Sequence, residues 1–150
     1  MSTVETNIEP SPIVLDVHDL RAGYGSVPVL HGVSFSLREG EALGIVGHNG
    51  MGKSTLLKAL MGLLPLTSGL ISLDGVDATQ QLAHIRSRAG IAYVPQGRGI
   101  LPGLSALDNL RLAWTTDSDE SEQEAIDRVV ALFPRLGELL DRRGGTLSGG

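Results

Sequence analysis

The sequence predicts an α/β fold, and three observations favour this class. Apolar and polar residues alternate across residues 33–37, which is typical of a half-exposed antiparallel strand. Across residues 122–133 the apolar side chains recur at helical spacing, which predicts an amphipathic helix. The 150 residues include 20 glycines, a content that suits a loop-rich α/β protein better than a helix bundle.

Composition limits the classes of function. Hydrophobic residues make up 41% of the chain and aromatic residues 3%, so we expect a core of Leu, Val, Ile and Ala. The net charge is −5 and two of the 12 basic residues are lysines, Lys53 and Lys58, so no nucleic-acid partner is expected. The sequence has no cysteine, which excludes disulfides, and its four histidines lack metal-ligand spacing.

The first residues are polar, and we predict a disordered tail over residues 1–12 followed by one domain over residues 13–150. The tail lacks the basic start and the apolar run of a signal peptide. Gly62 and Pro65 interrupt the longest apolar stretch, so no insertion into a membrane is predicted. We therefore expect a cytoplasmic protein that reaches a membrane only through a partner.

Local patterns predict the other elements. Strands are predicted at residues 13–17, 33–37, 42–46, 70–73 and 91–94, and the segments at 42–46 and 91–94 are expected to be buried. Helices are predicted at residues 56–61, 78–88, 105–114, 122–133 and 136–140. Ser105 is followed three residues later by Asp108, a capping-box pattern that indicates a helix start.

The predicted strand at 42–46 leads into the glycine-rich stretch Gly47-His48-Asn49-Gly50-Met51-Gly52-Lys53-Ser54-Thr55. It fits the phosphate-binding loop pattern, a glycine, four free positions and then Gly-Lys-Ser. Glycines leave backbone N–H groups unobstructed and permit positive φ angles. Lys53 supplies charge for the terminal phosphates, and the Ser54 hydroxyl suits Mg²⁺. A helix starting near Lys53 aims its N-terminal dipole at the same anion.

Three further features are Tyr24, Gln96 and the terminal Leu147-Ser148-Gly149-Gly150. Taken singly, each has a simpler interpretation: Tyr24 as a tyrosine at a strand end, Gln96 as a solvated loop amide, and the last four residues as a flexible chain end. Together with the phosphate loop, and in this order, they resemble the A-loop, Q-loop and signature motif of the nucleotide-binding domain of ABC transporters. The resemblance covers about residues 13–150. It implies an ABC-type P-loop NTPase fold, here an antiparallel β subdomain, an incomplete parallel core and a helical subdomain.

The resemblance also implies ATP and Mg²⁺ as cofactors. Tyr24 is then expected to stack on adenine, and residues 47–55 are expected to hold the phosphates. Lys53 would neutralise charge on the β- and γ-phosphates as a catalytic group. Ser54 would ligate Mg²⁺.

The remaining implied roles concern partners. Gln96 would meet Mg²⁺ or the attacking water and couple the site to a transmembrane permease subunit. Ser148 and Gly149 would clamp the γ-phosphate held by a second ATP-binding subunit in a head-to-tail dimer. The stretches at residues 94–98 and 132–136 are similar to the second ATP-binding subunit of branched-chain amino acid importers, and the urea importer subunit is a close competitor.

The family pattern continues beyond the signature motif to a strand ending in Asp-Glu and to a later histidine, and this sequence has no counterpart of either. The sequence is therefore interpreted as an N-terminal portion, for which we expect nucleotide binding with negligible hydrolysis by itself. The alternatives are a non-catalytic nucleotide-binding remnant or regulatory module and a small-molecule P-loop kinase. A kinase would give no role to Gln96 or to residues 147–150.

Overall fold

The computed structural model describes residues 11–97, 99–114 and 120–147. The chain divides into two compact units, the first ending at Tyr93 and the second beginning at Val94. Most of the predicted tail, residues 1–10, lies outside the described residues, as do Ser148 and Gly149. Among the helices of the described ranges, none is long and apolar enough to cross a membrane.

An antiparallel sheet forms the frame of the first unit, with strand order β2-β1-β3-β4. Its strands are β1 (Ile13–Tyr24), β2 (Val27–Arg38), β3 (Leu66–Leu73) and β4 (Val76–Asp77). The strands predicted at 13–17, 33–37 and 70–73 are confirmed, and each extends further than predicted. The turn between β1 and β2 contains Gly25 at a φ of 57°, a left-handed angle that glycine adopts readily.

One helix packs on this sheet and carries the glycine-rich loop at its start. This helix, α1 (Lys53–Leu60), buries Leu56, Ala59 and Leu60. They join a core cluster that the sheet supplies with fully buried Val17, Leu20 and Ile71, together with other aliphatic side chains. The core is aliphatic, as the composition predicts, and burial of these side chains fixes α1 against β1 and β2.

A second helix of the first unit, α2 (Ala83–Arg88), is shorter than the predicted helix at residues 78–88. The residues before it form a turn instead. Ala78 N–H donates to the Ile71 carbonyl oxygen at 2.8 Å, and the Thr79 hydroxyl accepts from Ile71 N–H at 3.0 Å. Hydrogen bonds of residues 78 and 79 with Ile71 of β3 therefore take the place of the first turn of the expected helix.

The second unit is helical, with α3 (Ala106–Arg111), α4 (Glu122–Leu132), α5 (Pro134–Gly137) and a 3₁₀ turn at Gly144–Thr146. Ser105 caps α3 as predicted, since its hydroxyl accepts from Asp108 N–H at 3.0 Å. Ser121 caps α4 in a complete capping box with Glu124. The helix predicted towards residue 114 ends at Arg111. In place of the helix predicted at 136–140, α5 covers residues 134–137, and a turn follows it.

Two predicted strands are wrong. Residues 42–46 and 91–94 have no regular structure, and within the described ranges the paired strands are all antiparallel. Val46 is 93% exposed and Val94 is 85% exposed, where burial was expected. A strand needs a neighbour to accept its backbone hydrogen bonds, and no described strand lies beside either segment. The predicted α/β class is confirmed, but the described ranges contain no parallel-core strand.

Candidate nucleotide-binding site

Three glycines give the loop at residues 47–52 a backbone that other residues adopt poorly. Their φ angles are 153° at Gly47, 84° at Gly50 and 92° at Gly52. Gly52 is the N-cap residue of α1 and has no side chain with which to cap it. The N–H groups of the first helical turn are thus left for a ligand, as the phosphate-binding pattern predicts.

A glycine is also required at position 52 because the backbone there lies so close to the sheet that a side chain would collide with it. A Cβ atom there would lie 3.1 Å from Val29 Cγ1 and 3.2 Å from Leu30 Cδ2, both on β2. At Gly50, by contrast, an added Cβ would meet no heavy atom within 4 Å. The helix end of the loop therefore packs on β2, whereas a side-chain carbon added at Gly50 would have open space.

Lys53 closes the loop. Its ammonium donates to the carbonyl oxygens of Gly47 at 2.6 Å and His48 at 2.7 Å. An ammonium has three N–H donors, so these two bonds leave one donor for a phosphate oxygen. Within the loop, Met51 N–H donates to the His48 carbonyl at 3.4 Å, and the Met51 side chain is 71% exposed.

The first turn of α1 suits an anion and its metal ion. It consists of Lys53, Ser54 and Thr55 rather than acidic residues, so no carboxylate of this turn competes for the N–H groups. Ser54 is exposed, whereas Thr55 is 7% exposed and belongs to the packed side of the helix. The donor set therefore fits a polyphosphate, with the Ser54 hydroxyl as the group that would reach Mg²⁺.

Tyr24 lies on the hairpin that the loop contacts. It ends β1, pairs with Val27 across the turn, and is 49% exposed. Two residues after Val27 comes Val29, whose side chain borders Gly52. The sheet thus places an exposed aromatic ring on the same hairpin as the loop, and adenine stacking by Tyr24 stays a prediction.

For the side chains of the remaining predicted site residues, the structure shows no hydrogen bond that indicates a role in the described part of the chain. His48 and Asn49 are exposed members of the loop. Gln96 is exposed in an irregular segment of the second unit, so its role at Mg²⁺ stays a prediction. Ser148 and Gly149 lie outside the described residues, and their role across a dimer likewise stays a prediction.

One residue was missed by the sequence analysis. Arg86 is 2% exposed, and its guanidinium donates to backbone carbonyl oxygens, two of them at the end of α1. Burial lowers the pKa of its guanidinium below the ordinary value of an arginine. Nothing in the local pattern distinguishes Arg86 from its neighbour Arg88, which is exposed.

The glycine loop, the lysine that closes it and the helix it starts define a P-loop α/β protein. Within that class the chain belongs to the ABC transporter family, whose sequence pattern matches residues 30–150. The structure is similar to the crystal structure of a nucleotide-free ATP-binding cassette from an ABC transporter, with a TM-score of 0.75 and 26% sequence identity. The match covers 91% of this chain and 59% of that cassette. The predicted family and fold class are confirmed.

Two curated relatives are named for amino acid transport. The probable branched-chain amino acid transport ATP-binding protein LivF of Archaeoglobus fulgidus is 38% identical over 131 residues, which are 87% of this chain and 56% of LivF. The high-affinity branched-chain amino acid transport ATP-binding protein BraG of Pseudomonas aeruginosa is 39% identical over 128 residues, 85% of this chain and 54% of BraG. The chain therefore spans about half the length of these relatives.

Proposed function

We propose that this chain binds ATP and Mg²⁺ through residues 47–55 and serves as part of the ATP-binding subunit of an importer. The observation that carries this proposal is the bond from Lys53 to the carbonyl oxygens of Gly47 and His48. It holds an ammonium across a loop whose glycines leave backbone N–H groups accessible. The names of LivF and BraG support branched-chain amino acids as the transported class.

Within this proposal each group has one task. Residues 47–53 surround the phosphates with backbone N–H groups, and Lys53 neutralises charge on the β- and γ-phosphates. Ser54 ligates Mg²⁺, which supplies further charge compensation when bound. Tyr24 stacks on adenine. Gln96 would meet the metal ion or the attacking water, as the resemblance implies.

The proposed partners follow from the family. A second ATP-binding subunit would pair head to tail with this one, and Ser148 and Gly149 would contact the nucleotide of that partner. Transmembrane permease subunits would hold the pair at the cytoplasmic face of the membrane, with Gln96 as the coupling residue. ATP hydrolysis and transport belong to the whole assembly.

Nucleotide binding is tested by titrating the protein with a fluorescent ATP analogue in the presence of Mg²⁺. Lys53→Ala removes a charged donor, and loss of such a hydrogen bond, about 1.5–3 kcal/mol, weakens binding roughly ten- to hundredfold. Lys58→Ala is the matched control, since Lys58 lies in the last turn of the same helix. Equal affinities of Lys53→Ala and the unaltered protein would refute the proposal.

A further inference from the structure

Arg86 is a buried cation whose charge is balanced by backbone dipoles. Its guanidinium donates to four carbonyl oxygens, those of Leu60 at 2.6 Å, Ala59 at 2.9 Å, and Thr79 and Gln81 at 3.0 Å each. The side chain is 2% exposed. A planar guanidinium can donate in several directions at once, which an ammonium on a flexible stem cannot reproduce at this site.

Two of these bonds cap the helix that carries the phosphate loop. Ala59 and Leu60 are the last residues of α1, where carbonyl groups lack partners within the helix. A cation at this end also interacts favourably with the helix dipole. Lys53 begins the same helix, only about 12 Å from this end at the usual rise per residue. Arg86 therefore fixes the C-terminal end of α1, and the N-terminal end of the same helix follows directly from the glycine-rich loop.

The other two bonds attach Arg86 to the sheet. Thr79 and Gln81 belong to the turn before α2, and the Thr79 hydroxyl accepts from Ile71 N–H at 3.0 Å. Ile71 is a fully buried residue of β3. Hydrogen bonds thus connect the end of α1 through Arg86 and this turn to the core of the sheet.

The chain also leaves room for this guanidinium. Gly62, just after α1, has a φ of 74°. A Cβ atom at Gly62 would lie 3.0 Å from the Gln81 carbonyl oxygen and 3.1 Å from Arg86 Nε. An alanine at Gly62 would therefore press on Arg86 and one of its partners without removing either.

We propose that Arg86 is a positioning residue for nucleotide binding. By fixing the C-terminal end of α1 against the turn at residues 79–81, it sets the direction in which the first turn of α1 and Lys53 face the phosphates. The guanidinium does not touch the nucleotide. This inference rests on the proposed function.

Arg86→Lys and Gly62→Ala test the proposal in the full chain. Arg86→Lys keeps the charge but loses the planar fork, and Gly62→Ala disturbs the same contact from the opposite side. We expect both to weaken ATP binding roughly two- to thirtyfold, the range for residues that act on a site without touching the ligand. Arg21→Lys is the control, because Arg21 is an exposed arginine of β1 paired with Asp19 at 3.0 Å.

Two measurements distinguish an effect of Arg86 on the position of the loop from a general loss of stability of the protein. In nucleotide-free protein, the amide resonances of residues 47–55 should shift in Arg86→Lys, while those of β2 residues far from the loop, such as Ser36, should not. Millimolar guanidinium should restore ATP affinity to Arg86→Ala by filling the vacated space, and should leave the unaltered protein unchanged.

The proposal is overturned if folded Arg86→Lys and Gly62→Ala keep full ATP affinity and unshifted loop resonances. If Arg86→Ala does not fold, Arg86→Lys and Gly62→Ala decide the matter. If the unaltered protein does not bind ATP, the proposed function fails. The loop resonances of nucleotide-free Arg86→Lys then still report whether Arg86 positions the loop.

Discussion

The ammonium of Lys53 donates to the carbonyl oxygen of Gly47 at 2.6 Å, so the lysine of the glycine-rich motif bonds to the motif's first residue. The bond spans the loop and limits how far it can open. A second bond, to His48 at 2.7 Å, fixes the ammonium on one side of the loop. The phosphate site is therefore shaped by the side chain that would also bind the phosphate.

Gly52→Ala should destabilise the protein more than Gly50→Ala. Both glycines have left-handed φ angles, 92° and 84°, and an alanine there costs about 1–2 kcal/mol. Gly52→Ala adds overpacking against Val29 and Leu30, at about 1–3 kcal/mol. Urea unfolding of both variants measures the difference. A Gly52→Ala variant as stable as Gly50→Ala would show that the contact with β2 is not tight.

Tyr24→Ala should weaken ATP binding and leave the binding of inorganic tripolyphosphate unchanged. Loss of an aromatic contact of about 0.5–1.5 kcal/mol corresponds to roughly a two- to twelvefold weaker affinity. Tyr24→Phe keeps the ring and should bind ATP normally. Competition titrations with both ligands measure this. Weaker binding of tripolyphosphate by Tyr24→Ala would mean that Tyr24 supports the loop and does not stack on adenine.

Stability should fall in acid partly through Asp16. The Ser36 hydroxyl donates to Asp16 Oδ1 at 2.7 Å, and His18 Nε2 lies 2.9 Å from Oδ2. These hydrogen bonds, that of Ser36 foremost, lower the pKa of the Asp16 carboxyl below its usual 3.8. The folded protein therefore takes up this proton less readily than the unfolded chain. The stabilisation is complete above the unfolded pKa and is lost as the pH falls through the folded pKa.

Ser36→Ala measures this contribution of Asp16. Without the hydroxyl, the pKa of Asp16 lies nearer its usual value, so the free energy of unfolding should depend less on pH in acid. Ser34→Ala is the control, because the Ser34 hydroxyl accepts from Asp19 N–H at 2.8 Å and leaves Asp16 unaltered. Urea unfolding from neutral to acidic pH compares the variants. Identical pH dependence of Ser36→Ala and the unaltered protein would contradict the assignment.

Ser121→Ala should destabilise α4. The Ser121 hydroxyl accepts from Glu124 N–H at 3.3 Å, and Ser121 N–H donates to Glu124 Oε2 at 2.9 Å. Loss of an N-cap side chain costs about 1 kcal/mol. Hydrogen exchange of the first-turn amides of α4 should quicken, and Ser121→Asp should restore their protection. Unchanged exchange in Ser121→Ala would show that this cap does not stabilise the helix.

Local chemistry accounts for what the sequence predicted. The glycine spacing and Lys53 determine the loop, and the structure brings Gly47 and Lys53 together. Alternation predicted the antiparallel strand at residues 33–37 because its side chains point in turn to a more buried and a more exposed face. The Ser105 cap was predictable for the same reason, since its bond to Asp108 spans three residues.

Distant partners account for what the sequence did not predict. Residues 42–46 and 91–94 have the composition of buried strands, but a strand forms only beside another strand. Arg86 is buried because it reaches carbonyl groups 26 and 27 residues away, at Leu60 and Ala59. Neither the presence of a neighbouring strand nor these carbonyl positions can be deduced from a local pattern.

The amide resonances of residues 47–55 report whether this loop binds the phosphates of ATP. Titration with ATP and Mg²⁺ should shift the amides of Gly50, Gly52, Lys53 and Ser54 in a saturable way. Lys53→Ala should need roughly ten- to hundredfold more ATP for the same shifts, whereas Lys58→Ala should respond as the unaltered protein does. If millimolar ATP and Mg²⁺ leave these resonances unmoved in folded protein, the loop does not bind the nucleotide.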